Sequence, residues 1–391
     1  MPWREIRPMD EKVLFIADHL RGLYSHSELC ARYGISRKTG YKWLERYHGH
    51  SLAGLEEQSR RPHHSPSAIP YAMRKAVIEL RQKSHEPLGP KKILALLAPR
   101  FPGQQLPSKS SLYNILTAEG LTQPRKKRQR VSPYLQPFAP VLEANELWSA
   151  DYKGQFRLGN GQWCYPLTVM DHHSRYLLGC RGITGTDTEH AQRYFIRLFR
   201  EYGLPERIRT DNGVPFASKA AGGLSRLSVW WIRLGILPER ITPGKPQQNG
   251  RHERMHRTLK QATTRPAAAS FTSQQRRFDA FQHHYNHERP HEGLGQTPPA
   301  SHYHHSPRPY PENLPPLIYP AYYDTKQVHA TGVIYFHNGQ VYVSHLLSGE
   351  QVGLEEVADG IWDIYFGPVR LGGFDLRDKK GGKTPYWTIK V

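Results

Sequence analysis

Between Leu147 and Lys260 the apolar pattern changes period several times, and that alternation limits the architectures open to the chain. Leu147–Leu158, Trp163–Met170 and Arg175–Ile183 are strand-length apolar runs, separated by the turn sequences Gly159-Asn160-Gly161 and Asp171-His172-His173-Ser174. A helical stripe follows from Glu189 to Tyr202 through Ala191, Tyr194, Phe195 and Leu198, and Gly203-Leu204-Pro205 ends it. Strand Arg207–Thr210, a helix around Ser225–Leu234 and a strand near Leu237–Ile241 come next. Three successive antiparallel strands, then helix, strand, helix, strand and helix, describe a mixed α/β core.

The last step of that order is a loop feeding a helix. Pro243, Gly244 and Pro246 forbid a regular element, and nothing blocks a helix from Gln247 onward. Met255 and Leu259 give the helix a buried stripe, while Arg251, Arg254, Arg257 and Lys260 keep it cationic around Glu253. A carboxylate in that setting is either a solvated ion-pair partner or a metal ligand beside a polyanion. Two more acids favour the second use: Asp151 lies inside the first strand-like run, and Asp211 ends Arg207–Thr210 before Asn212-Gly213. Neighbouring strands would bring all three to one point.

Trp148-x-x-Asp151, Thr210-Asp211-Asn212-Gly213 and Pro246-x-x-x-Gly250-x-x-Glu253 together resemble the catalytic core of bacterial insertion-sequence transposases and retroviral integrases, the DDE enzymes. Arg251-His-Glu-Arg-Met-His-Arg-Thr-Leu-Lys260, and Tyr285-Asn286-x-x-Arg289-Pro290-His291-x-x-Leu294 followed by Thr297-Pro298, are similar to the insertion-sequence branch. The resemblance implies a ribonuclease H-like fold and a catalytic, metal-holding trio of Asp151, Asp211 and Glu253. It implies two Mg2+ ions, with Mn2+ as substitute, because hard cations at a transferring phosphate prefer oxygen ligands. Water attack would free a 3′-OH at the element's end, and that hydroxyl would attack a second phosphodiester in strand transfer. Asn212, Lys245, Gln248, Asn249 and Arg251 are expected to hold DNA near the metals by position. The interval from Asp211 to Glu253 is longer than usual for the family, and the 217–224 stretch with Gly222-Gly223 is the expected insertion.

The rest of the chain fits a DNA partner. Its 391 residues carry 54 Lys and Arg against 34 Asp and Glu, a net charge of +20 spread over several segments. Residues 11–47 read as helix, helix, turn, helix, with Ser27 and Ser36 as caps and Gly34 in the turn; Arg37, Lys38, Thr39 and Lys42 form the outer face of a recognition helix, and Tyr41 and Leu44 point partly inward. Tyr71–Lys83, Pro90–Ala98 and Ser108–Glu119, stopped by Gly120, form a second such module, and the basic run with Arg125, Lys126, Lys127 and Arg128 would lie along phosphates. Beyond a Pro-rich connector, residues 326–390 alternate at strand length, with a hairpin at His337-Asn338-Gly339, and resemble the SH3-like barrel of integrases.

The expected organisation is therefore multidomain. All-α helix-turn-helix modules (1–50 and 70–122, with linkers 51–69 and 123–140) precede the ribonuclease H-like core (141–300), the connector (301–325) and a small all-β, SH3-like barrel of five or six strands (326–391). Cys30, Cys164 and Cys180 are scattered, without a CxxC pair, and suit a reducing cytoplasm. No apolar run is long enough for a membrane span, and Met1-Pro2-Trp3-Arg4-Glu5 does not read as a signal peptide. Asp171 is expected to make local turn bonds, and His283, His284, His287 and His291 to pack or touch DNA rather than bind zinc. The expected partners are element ends and target DNA, in a homo-oligomer of at least two copies that uses the barrel and the Phe278–Tyr285 helix as contacts. A domesticated regulator with an inactive core is the alternative, and the three intact acids weigh against it.

If end recognition resides in residues 1–130, that fragment will shift element-end DNA more tightly than scrambled DNA, with affinity falling steeply as salt rises. Equal affinity for both DNAs in a gel-shift titration would count against it, and Arg37 and Lys38 are the first positions to change.

Overall fold

The computed structural model describes residues 8–57, 68–84, 86–122, 140–218, 220–242, 244–378 and 385–390. Arg125, Lys126, Lys127 and Arg128 lie outside them. The chain divides into two compact units, 1–68 and 69–391.

In the first unit, α1 (Pro8–Arg21), α2 (His26–Arg32) and α3 (Arg37–His50) close around Phe15, Ile16, Leu29, Cys30, Trp43 and Leu44. The cap of α2 is Ser25, not Ser27. Its hydroxyl accepts the Glu28 amide and the Glu28 carboxylate accepts the Ser25 amide, so Ser25-x-x-Glu28 satisfies two otherwise orphaned donors. Gly34 takes φ +63° in the turn, and Ser36 caps α3 through the Thr39 amide. The helices cross closely at Cys30, where a Cβ added to Gly40 would lie 2.5 Å from the Cys30 sulfur. The inward stripe of α3 is Gly40, Trp43 and Leu44; Tyr41, expected partly inward, is 61% exposed because it falls one step off that stripe. Arg37, Lys38 and Lys42 are exposed and Thr39 is half-buried.

The second unit begins with α4 (Tyr71–Lys83), α5 (Pro90–Leu97) and α6 (Lys109–Ala118), packed around Val77, Ile93, Leu97, Leu112 and Leu116. Ser108 caps α6, and Gly120 follows it at φ +65°. The α/β core comes next, with β1 (Leu147–Tyr152), β2 (Phe156–Arg157), β3 (Trp163–Asp171), β4 (Leu177–Ile183), α7 (Thr188–Tyr202), β5 (Arg207–Thr210), α8 (Arg226–Arg233), β6 (Leu237–Arg240), α9 (Gly250–Thr263) and α10 (Phe271–His287). The run expected as one strand from Leu147 to Leu158 breaks at Gly154, which adopts φ +81°. Strand β3 pairs antiparallel with β1, β2 and β4, while β1, β5 and β6 are parallel neighbours. This is the strand and helix order expected of a ribonuclease H-like core.

Alternation along β1 sorts its side chains between two layers. Trp148 and Ala150 join α7 and α8 in a core with Phe195, Phe199, Leu227 and Trp231. On the opposite face, Met255 and Leu259 of α9 and Phe278, Phe281 and Tyr285 of α10 pack against Met170, Leu177 and Cys180. The Phe278–Tyr285 segment, expected at a dimer contact, thus spends its apolar residues inside its own core.

The C-terminal part is all-β and larger than expected, with seven described strands: β7 (Asp324–Gln327), β8 (Val333–Phe336), β9 (Gly339–Tyr342), β10 (Gln351–Ala358), β11 (Ile361–Phe366), β12 (Val369–Asp375) and β13 (Tyr386–Thr388). They form sheets β7-β10-β11-β12 and β8-β9-β13. His337 and Asn338, both at positive φ, make the β8–β9 turn. Helix α8 is shared, because Leu227 and Trp231 enter the α/β core while Val229 and Ile232 enter the β core. The expected insertion also meets this domain, since a Cβ on Gly222 would lie 3.2 Å from Leu371. The Pro-rich connector is strapped to the core: the Arg308 guanidinium donates to the carbonyls of Pro205, Leu234 and Gly235, and Tyr303 stacks on Tyr176 at 4.4 Å.

The second helical module is tied to the core through Glu86, which is buried, accepts from Arg289 and lies 3.9 Å from Lys92. Burial and the Arg289 charge hold the Lys92 ammonium down at about 8. Replacing Arg289 by Ala will strand the Glu86 carboxylate and destabilise the protein by about 3 kcal/mol, whereas Glu86→Leu with Arg289→Leu will recover much of that loss. Denaturant unfolding of the three variants reads the difference directly.

Candidate active site

Ser149 and Asp151 project from β1 on the side of α9, and Asp151 pairs in register with Thr168 of β3. The loop before α9 is a 3-10 turn, Pro246–Asn249, so the helix begins at Gly250 and Glu253 falls in its first turn. Asp211 directly follows β5, the parallel neighbour of β1. The Asp151 carboxyl is pushed up to about 7, first by burial and then by the negative charge of Asp211, with a smaller push from Glu253. Asp211 and Glu253 therefore both lie within electrostatic reach of Asp151, although the three come from a strand, a strand end and a helix.

The contacts below Asp151 involve residues that the sequence reading passed over. His252 and His256, one helical turn apart on α9, both place Nε2 at 2.7 Å from the Thr168 hydroxyl. Thr168 also donates to the Asp151 carbonyl oxygen (3.0 Å), and Ser149 Oγ lies 2.8 Å from His252 Nδ1. Burial lowers the His252 imidazole to about 3 and holds His256 well below the usual histidine range, so both rings are neutral. Among the described residues, Asp151, His252 and His256 form the grouping whose potential metal-ligand atoms lie within 4.8 Å of one another. The sequence signal was present: positions 252 and 256 stand one turn apart, beside the Met255 and Leu259 stripe.

The other expected residues divide by burial. Gln248 is buried and holds its own loop, accepting the Thr242 amide and donating to the Thr242 hydroxyl. Asn249 is also buried, at 3% exposure. Neither offers a surface side chain to DNA. Asn212 and Lys245 are exposed, Asn212 donating to the Ile241 carbonyl, and Arg251 donates to the His172 carbonyl at 2.8 Å. Lys153, half-buried, feels the charges of Asp151 and Lys260, which places positive groups at the rim of the acids. Asp171 makes the expected turn bonds, accepting from the Asn145 amide and from the amide and hydroxyl of Ser174. Of the four histidines at or just past the end of α10, His291 is buried edge-on to Tyr285, His283 and His287 are exposed with their rings 4.9 Å apart, and His284 lies 3.2 Å from the Glu288 carboxylate.

Two sequence models described as "Integrase core domain" match residues 142–246 and 234–299. A "Helix-turn-helix domain" model matches 11–63 and a "Homeodomain-like domain" model 39–116. The chain is 29% identical over 257 residues to the 39.2 kDa protein of insertion element IS476 of Xanthomonas euvesicatoria, covering 64% of this chain and 69% of that protein. It is 28% identical over 191 residues to the 31.7 kDa protein of insertion element IS407 of Burkholderia multivorans, covering 48% of this chain and 66% of the relative. A shorter match, 36% identical over 84 residues, falls in the Gag-Pol polyprotein of baboon endogenous virus and covers 4% of it. Among solved structures, a chain of the simian T-cell lymphotropic virus intasome is similar at 17% identity and a TM-score of 0.37, covering 75% of this chain and 97% of that one. The HTLV-2 integrase catalytic core domain in complex with magnesium is similar at 15% identity and a TM-score of 0.33, covering 42% and 99%. No described helix is long and apolar enough to cross a membrane.

The Asp151 shift carries a stability consequence. A carboxyl raised from 3.8 to about 7 binds its proton more tightly when folded, so its contribution is present at low pH and is lost as pH rises from about 4 through 7. That interval sets an upper bound of about 4 kcal/mol, of which roughly half is expected for mutually repelling acids. In chelator, Asp151→Asn will melt at a temperature close to wild type at pH 4.5 and above it at pH 8. Equal melting at pH 8 would show that Asp151 is not crowded by the other acids.

Proposed function

We propose, from the premise that this chain belongs to the integrase-like family of insertion-element proteins, that it is a DDE transposase which cleaves the ends of a mobile DNA element and joins them to target DNA. The observation that supports the reading is the position of Asp151 on β1, where burial and the negative charges of Asp211, after β5, and Glu253, in the first turn of α9, all act on its carboxyl. Carboxylates in repulsion at a partly open position, 20% exposed at Asp151, match the hard-oxygen donor set that divalent cations prefer. Asp151, Asp211 and Glu253 would hold Mg2+ or Mn2+, probed as two ions. Bound there, the cations supply charge neutralisation at the phosphate and activation of the attacking oxygen.

The chain's own groups supply the rest. Lys153, whose charge acts on Asp151, and Lys260 beside it would hold the phosphodiester backbone against the acids, with Arg251 and Arg254 adding exposed positive charge along α9. Water attack would release a 3′-OH, and the same site would then direct that hydroxyl at a second phosphodiester, so no Ser or Tyr nucleophile is required. Arg37, Lys38, Thr39 and Lys42 on α3, and the basic run Arg125–Arg128, are assigned to element-end binding; the C-terminal β domain is read as an SH3-like barrel that holds DNA without sequence preference. Because an element has two ends, the active form is read as a homo-oligomer on DNA.

Glu253→Gln removes a ligand charge with little change in volume. Cleavage and strand transfer of element-end DNA should fall roughly 1,000-fold, about 4 kcal/mol of transition-state stabilisation. End binding in a gel shift should remain, because the recognition helices are elsewhere. Wild-type turnover by the variant would remove Glu253 from the trio.

A further inference from the structure

The contacts around Thr168 determine where the histidine protons sit. Its hydroxyl has one proton and two lone pairs, and the Asp151 carbonyl 3.0 Å away can only accept. Thr168 therefore donates to Asp151, and the two imidazoles at 2.7 Å must both present Nε2–H to the threonine oxygen. A ring that donates from Nε2 and is to bind a cation keeps its lone pair on Nδ1. On His252 that lone pair meets the Ser149 hydroxyl at 2.8 Å, a shorter contact than the 3.3 Å from the same hydroxyl to the Met170 carbonyl, and the ring has no exposed surface. On His256 no donor reaches it among the described residues; it faces Asp151 Oδ2 at 3.7 Å. A proton shared between imidazole and carboxyl would draw the pair to about 2.7–2.9 Å, so the wider gap holds no hydrogen bond and leaves room between the two atoms.

We propose that His256 Nδ1 is a nitrogen ligand for the divalent ion held by Asp151, which makes this a mixed nitrogen and oxygen site. The proposal rests on the reading that Asp151 holds such an ion. A cation between the two atoms fills that room with two coordinate bonds, while Thr168 fixes the ring from behind as a second-layer hydrogen bond does for metal-bound histidines. His252 has both nitrogens engaged and acts as the spacer that holds Thr168. Imidazole suits Mn2+ better than Mg2+, so the site should favour Mn2+ beyond what three carboxylates alone would give.

The test uses the full-length protein with Mn2+ as probe and electron spin echo envelope modulation as readout. Wild type should show 14N modulation from a directly bound nitrogen, and 15N-histidine labelling should convert it to the 15N pattern without any mutation. His256→Asn should lose the modulation, bind Mn2+ roughly tenfold more weakly, and bind Mg2+ with a smaller change. Mn2+ that binds in an Asp151-dependent manner without histidine modulation, or modulation that survives in His256→Asn, overturns the assignment and leaves the proposed catalytic trio standing. Mn2+ binding indifferent to Asp151→Asn overturns both.

Discussion

The threonine hydroxyl buried between β1, β3 and α9 is the contact on which the site depends. Thr168 sits opposite Asp151 in the β1–β3 register and reaches two imidazoles of α9. Those bonds set the rotation of α9 about its axis, and the rotation decides where Glu253, one residue after His252, points. In a dry interior such bonds are short and expensive to leave unmade, so the helix has little freedom to turn. Met255 and Leu259 press the same face into the apolar core beneath. Polar and apolar contacts thus agree on one orientation, and the exposed Glu253 comes within electrostatic reach of Asp151.

A second constraint is the double use of α8. A short helix with apolar residues around much of its circumference has no face left for solvent. Leu227 and Trp231 close the α/β core while Val229 and Ile232 close the β domain, and the Arg233–Glu350 ion pair at 2.5 Å fixes the rim. Two domains that the sequence separates by a Pro-rich connector are therefore packed around one helix. The connector reinforces this, because the Arg308 guanidinium satisfies three backbone carbonyls at the ends of α7 and α8.

Charge is distributed in the same economical way. Most of the described Lys and Arg residues are exposed. Arg289 is different: it is spent inside, against Glu86, where it ties the second helical module to the core. A residue that a motif presents as a basic contact can thus be a structural tie once its surroundings are known.

The sequence by itself determined the local elements. Period-two and period-3.6 apolar patterns gave five core strand runs, one of which the structure splits into β1 and β2, and placed α7, α8 and α9 within a few residues, since those periods follow from backbone geometry alone. The cap at Ser36 and the turns at Gly34, Gly120 and Asn338 were legible for the same reason. Motif spacing singled out Asp151, Asp211 and Glu253, and the charges of the last two act on the first. Only the tertiary structure decided what faces what. Gln248 and Asn249 look like DNA contacts in the chain and are buried, Tyr41 looks half-inward and is exposed, and His252 and His256 look like ordinary members of a charged helix yet meet a strand far away in sequence. A periodic pattern fixes a residue's side of its own element; its partner across the interface depends on which elements dock, and that is settled by the burial of surfaces distant along the chain.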